Sequence, residues 1–121
     1  MEVNSFRVLR VCQAGKDLVE LVYRFTGSFP TTEIYGLTGQ MRRCAVSVPS
    51  NIAEGHTREH SKEYLHHISV AQASLAELQT QLEIAGRLKY LSQEQVNSGL
   101  EKMTSLSKQL YALRNALAKR A

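Results

Sequence analysis

The sequence predicts an all-α fold: a single antiparallel four-helix bundle, up-down-up-down, spanning residues 1–121. Three observations lead there. Apolar side chains recur at spacings of three and four along four segments, which is the signature of one helix face. Short connectors carrying Gly, Pro, Ser and Thr separate those segments. No alternating strand pattern, internal repeat or low-complexity tract competes with them. With 43% apolar residues and only two prolines, the chain has enough material for a core and too little polarity for disorder.

The first helix is expected over about 6–26. Val11, Ala14, Leu18, Leu21, Val22 and Phe25 form its stripe, Gly15 weakens it, and Gly27 ends it. The second is expected over about 32–54. Thr31 or Thr32 caps it, Glu33 favours its positive end, and Gly55 stops it. Its stripe is Ile34, Leu37, Met41, Cys44, Val48 and Ile52. The third, about 61–88, has Ser61 as cap and Glu63 in its first turn. Its stripe is Leu65, Ile68, Ala71, Leu75, Leu78, Leu82 and Ala85. The fourth, about 92–119, opens on an S-x-x-Q capping box, Ser92 with Gln95, flanked by Leu91 and Val96 as a hydrophobic staple. Its stripe is Val96, Leu100, Met103, Leu106, Leu110, Leu113 and Leu117. The short link between the last two helices makes them antiparallel neighbours.

Within "QMRRCAVSVPSNIAEG", residues 40–55, Ala45, Val46 and Pro49 lie off the stripe of the second helix, yet all are apolar. A peripheral bundle helix has a polar back. The apolar back here implies contact with another subunit, or else a more central position within one chain. An interface of Ala45, Val46, Pro49 and Asn51 follows from the first reading. Pro49 has no N–H for the carbonyl of Ala45, so a kink is expected there. Ser47, Ser50 and Asn51 stand close enough to satisfy freed backbone groups, which gives Asn51 a structural role. Arg42 and Arg43 point about 100° apart and do different work. Each can pair with an acid such as Glu77 or Glu54, or hold a phosphate.

Basic residues exceed acidic ones by 15 to 11, and the surplus is uneven. From Lys102 to the C-terminus there are basic residues and no acid. Such a segment suits nucleic acid, or simply complements a helix dipole. Cys12 and Cys44 are far apart and read as reduced, buried thiols. There is no secretory leader pattern and no run of ~20 apolar residues for a membrane span. A cytoplasmic location is expected.

Residues 29–92 resemble a known family, the bacterial four-helix-bundle proteins encoded within 23S rRNA intervening sequences. Its pattern runs FP-x-x-E-x-[FY]-G-L-x-x-Q-[LM]-R-R, then S-[IV]-x-x-N-I-A-E-G, K-E-[FY] and A-x-x-S-L-x-E-L. This chain carries Phe29, Pro30, Glu33, Tyr35, Gly36, Leu37, Gln40, Arg42, Arg43, Ser47, Asn51, Ile52, Ala53, Glu54, Gly55, Lys62, Glu63, Tyr64, Ala71, Ser74, Leu75, Glu77 and Leu78 at the matching places. It departs with Cys44 for alanine, Gln79 for glutamate and Cys12 for tryptophan. The resemblance implies a ring-like homo-oligomer, a pentamer. It also extends to the accessory variability proteins of diversity-generating retroelements, basic rings that bind nucleic acid and a reverse transcriptase.

Catalytic and metal motifs are weak. Glu63-x-x-His66 is a lone E-x-x-H, whereas a di-iron bundle needs two. His56 and His60 lack further ligands. No phosphate-binding glycine loop, nucleophile elbow or H-E-x-x-H is present. No metal, cofactor or enzymatic activity is expected. The leading expectation is an oligomeric scaffold that binds RNA or DNA through Arg42, Arg43, Arg58, Lys62, Arg87, Lys89, Arg114, Lys119 and Arg120. The alternative is a protein–protein scaffold whose charge is ordinary surface.

Overall fold

A computed structural model describes residues 5–120. It contains α1 (Ser5–Thr26), a 3-10 turn (Thr31–Glu33), α2 (Leu37–His56), α3 (Ser61–Arg87) and α4 (Gln93–Ala118), with no strand among the described residues. α2 packs on α1 and α3, and α4 packs on α3 and α1, so the four close a bundle. Successive helices run antiparallel. One end therefore gathers the start of α1, the α2–α3 connector and the end of α4. The other end holds the α1–α2 and α3–α4 connectors.

The buried positions alternate by three and four. They are Thr38, Met41, Ala45, Val48, Ile52 and Gly55 on α2, and Val96, Gly99, Met103, Leu106, Leu110, Leu113 and Leu117 on α4. On α3, Tyr64, Ile68, Ala71, Leu75, Leu78, Leu82 and Ala85 keep the same beat. Such a heptad seam is what long antiparallel helices need to stay in contact along their length.

The stripes expected for α3 and α4 agree with this core except that Leu65 and Leu100 are half-buried flank positions. The stripe of α2 is turned. Leu37 and Cys44 lie on its flank, Ile34 precedes the helix and is 50% exposed, and Ala45 faces the core. The cause is side-chain size. Small residues at Ala45 and Gly55 bring neighbouring helices close, and a search for large apolar side chains passes over them. A Cβ on Gly55 would stand 2.8 Å from Tyr64 Cδ1, so this glycine serves the close approach of α3, and α2 ends one residue past it, at His56.

Of the interface expected at Ala45, Val46, Pro49 and Asn51, the same correction reaches Ala45, while Pro49 and Asn51 are half-buried. Ala45 is fully buried inside its own chain. Pro49 packs on α1, where a Cβ added to Gly15 would lie 3.1 Å from Pro49 Cβ. Gly15 is thus the gap in α1 that receives the proline ring. Asn51 donates to Ser47 O at 2.9 Å and Ser47 Oγ at 3.0 Å, and meets His67 Nδ1 at 3.0 Å. Of the four, Val46 alone is exposed, at 41%.

Helix ends also differ from expectation. Thr31 and Thr32 belong to the 3-10 turn and cap nothing in α2. Glu33 performs that task from a distance, its Oε1 accepting from Leu37 N at 3.1 Å. His60, without a side-chain hydrogen bond, takes the cap position assigned to Ser61. Ser92 and Gln95 form the full capping box, and Leu91 and Val96 are both buried beside it. α3 ends in a Schellman motif: Tyr90 N donates to Ala85 O and Lys89 N to Gly86 O, with Lys89 at φ 65° where glycine is usual.

Candidate nucleic-acid interface

The helix directions divide the expected cationic residues into groups. Arg58 and Lys62 lie at the α2–α3 connector, and Arg114, Lys119 and Arg120 at the end of α4, so all five share one end of the bundle. All five are exposed. Arg87 and Lys89 lie at the opposite end. α3, between the two ends, spans roughly 40 Å at ~1.5 Å per residue.

Arg42 does something else. Its Nε donates to Thr26 Oγ1 at 2.9 Å, and its guanidinium lies 4.4 Å from the centre of the Tyr23 ring. Thr26 in turn donates to Val22 O at 2.8 Å. This side chain fastens α2 to the end of α1 by a hydrogen bond and a cation–π contact, instead of pairing with Glu77 or Glu54. Arg43, one residue on, is exposed.

Two cationic residues escaped the sequence reading. Arg7 and Arg10 sit on the outer face of the first turns of α1 and are exposed. Arg7 Nη1 donates to Ala112 O of α4 at 3.5 Å, which places it beside the basic end of the last helix. In the sequence these segments are a chain-length apart. Only the closure of α1 on α4 joins them.

Arg58 and Lys62 border a shallow cavity of about 430 Å³ together with Glu63, His66 and His67. Arg87 and Lys89 border another of about 320 Å³, with Glu83, Gln93 and Leu100. Glu63 and Glu83 dilute the positive field in each. Among the described residues, no three His, Cys, Asp or Glu side chains converge as metal ligands. His56 Nδ1 instead meets Tyr64 OH at 3.1 Å, and His67 is held by Asn51. Burial pushes the Tyr64 hydroxyl up to about 12, so it stays protonated through the neutral range. Burial also raises the thiols of Cys12 and Cys44, and for Cys44 the Glu77 carboxylate adds to the effect. Neither is primed as a nucleophile.

At the far end, the F-P-x-x-E motif is structural. Phe29 is buried, with its ring centre 5.2 Å from that of Tyr90, and Tyr90 OH donates to Glu33 Oε2 at 2.8 Å. Tyr35, by contrast, is 93% exposed, and Ile84 and Leu88 are also open to solvent. No helix among the described residues is long and apolar enough to cross a membrane.

Comparison with curated proteins finds no match. A solved structure, from Bacteroides thetaiotaomicron, superposes with a TM-score of 0.81 at 19% identity, covering 90% of this chain and 98% of its own. It is described as a protein of unknown function from the S23 ribosomal protein family; at that identity the likeness speaks for the fold. The profile of the 23S rRNA-intervening sequence proteins matches residues 7–112, a range that takes in the Arg7–Ala112 contact and the whole paired core between. A match of that extent places this chain in the 23S rRNA-intervening sequence protein family.

Proposed function

We propose that this protein is a non-enzymatic helical scaffold that self-associates and binds RNA or DNA through cations at one end of its bundle. The observation that carries the reading is the gathering of Arg7, Arg10, Arg58, Lys62, Arg114, Lys119 and Arg120 at that end, all exposed. Such groups bind phosphate backbones without reading sequence. Arg42 leaves the set because its guanidinium is spent on Tyr23 and Thr26. Self-association, a ring of five in the related bundles, draws support from the exposed Val46, Ile34, Tyr35, Ile84 and Leu88. These same side chains favour a second reading, a docking scaffold for another protein. A reverse transcriptase is one such partner, by the resemblance to retroelement accessory proteins.

The test is binding of labelled RNA at several salt concentrations. The logarithm of the affinity should fall linearly with log salt, with a slope of ~0.7 per phosphate contact on a single strand. Replacing Arg114, Lys119 and Arg120 together by alanine should lower the slope accordingly. No RNA or DNA binding even at low salt would reject the nucleic-acid reading and leave the docking one.

A further inference from the structure

The end of the bundle that gathers most of the exposed cations holds a cavity of about 430 Å³, bordered by Arg58, Lys62, Glu63, His66 and His67. It has room for a phosphate group and several waters at ~30 Å³ each. Among the described residues, no hydrogen bond or ion pair engages the side chains of Arg58, Lys62, Glu63 or His66. His67 is held differently. Asn51 Nδ2 donates to Ser47 O at 2.9 Å, and a carbonyl only accepts, so the orientation of the amide is settled. Its Oδ1 then meets His67 Nδ1 at 3.0 Å, which places the ring hydrogen on Nδ1. α2 also comes close here, since a Cβ on Gly55 would stand 2.9 Å from His67 Cβ. The ring is thus fixed, and in its neutral form Nε2 keeps a lone pair without a partner. A neutral His67 repels an anion at Nε2, whereas a protonated one offers it an N–H and a charge.

Imidazole is the side chain that changes charge between about pH 5 and 8. The permanent charges around this cavity are those of Arg58, Lys62 and Glu63, a surplus of one positive charge. Protonating His66 and His67 raises that surplus to three. Their ring centres stand 5.9 Å apart, so two imidazolium groups repel each other unless an anion lies beside them. Of the elements packed nearby, α2 brings Glu54, exposed and outside the lining, and His56, whose Nδ1 meets Tyr64 OH. The α2–α3 connector adds Glu59 and His60, both exposed. α4 brings Arg114, Lys119 and Arg120 to this end, and no acid after Glu101. We propose that this cavity is a proton-gated subsite for one backbone phosphate of a nucleic-acid strand. Arg58 and Lys62 are its permanent cations, and His66 and His67 become its donors on protonation. The subsite rests on the nucleic-acid reading above and adds pH control to it.

The test is fluorescence anisotropy on the full chain with a mixed-sequence single-stranded RNA of about 12 nucleotides. Binding is followed from about pH 8.5 to about pH 5.5 at several salt concentrations, a span that covers the imidazole titration. The RNA should bind roughly tenfold tighter at the acid end. The salt slope should steepen there by about 0.7, the mark of one more neutralised phosphate. His66→Gln and His67→Gln should each remove part of that pH dependence, and the double variant nearly all of it. Glutamine keeps an N–H for Asn51, so affinity at about pH 8.5 should stay as in wild type. Glu63→Gln should tighten binding at both ends of the range, since it removes the one negative charge of the lining. His60→Gln, outside the lining, should leave the profile unchanged. A pH dependence that survives the double histidine variant, or that His60→Gln abolishes, overturns the subsite and leaves the electrostatic interface standing. Displacement of the RNA by inorganic phosphate at constant ionic strength would assign the cavity to the free ion and overturn the strand as its ligand. No binding of RNA at any pH, even at low salt, overturns both the subsite and the nucleic-acid reading.

Discussion

Glu33 shows how much one side chain does in this fold. Its carboxylate accepts from the Leu37 backbone N–H and from the Tyr90 hydroxyl, and these two bonds, in that order, lower its pKa from the ordinary 4.5. The same bond raises the Tyr90 hydroxyl above its usual value. A carboxylate with a depressed pKa in the folded state stabilises the fold above its unfolded value, and that contribution disappears as pH falls through the folded value. Wild type should therefore exceed Glu33→Gln in stability at neutral pH, with the difference closing below about pH 4.5. Urea melts at a series of pH values measure this; a gap that persists at low pH would show that the charge is irrelevant. Nothing in the local sequence predicts the role. Glu33 looks like a first-turn acid of the second helix, and its Tyr90 partner stands 57 positions away. Lys89 is similarly silent in the sequence: the αL residue closing α3 carries no glycine to announce it.

At the scale of the element, the capping box at Ser92 was legible because the sidechain–backbone exchange is encoded within four residues. Ser61 presents the same residue type and does not cap, because the chain enters α3 one position earlier, at His60. The two serines should behave differently. Ser92→Ala should cost about 1 kcal/mol, whereas Ser61→Ala should stay within about 0.5 kcal/mol, both by equilibrium denaturation. The apolar stripes of α3 and α4 were legible for a comparable reason, since Leu repeats report a face directly. α2 was read less well because its inward face relies on Thr38, Ala45 and Gly55, whose contribution is how near they let α1 and α3 come. Gly15 belongs with them: in the sequence a defect of α1, in the fold the recess for Pro49.

At the scale of the whole molecule, the candidate interface was legible in part. Composition revealed the basic C-terminal segment, but Arg7 and Arg10 join it only through the α1–α4 pairing, a long-range contact that no local pattern encodes. The same scale separates two neighbouring residues that the sequence treated as one surface. Ala45 is enclosed by its own chain and Val46 faces outward. Ala45→Asp buries an unpaired charge and should abolish the cooperative melt. If the chain self-associates as proposed, Val46→Asp should keep helix content and melting cooperativity while light scattering shows the mass dropping toward the 13.6 kDa of one chain. A Val46→Asp protein of unchanged mass would remove this residue from any assembly contact.

The stitch of Phe29, Glu33 and Tyr90 has a mechanical corollary. It ties both interhelical turns of one end to each other, while toward the opposite end His56 meets Tyr64, Asn51 meets His67, and α1 reaches α4 through the long Arg7–Ala112 bond. The end so tied carries Arg87 and Lys89, whereas the larger group of exposed cations stands at the other, so a polyanion held as proposed would leave this stitch untouched.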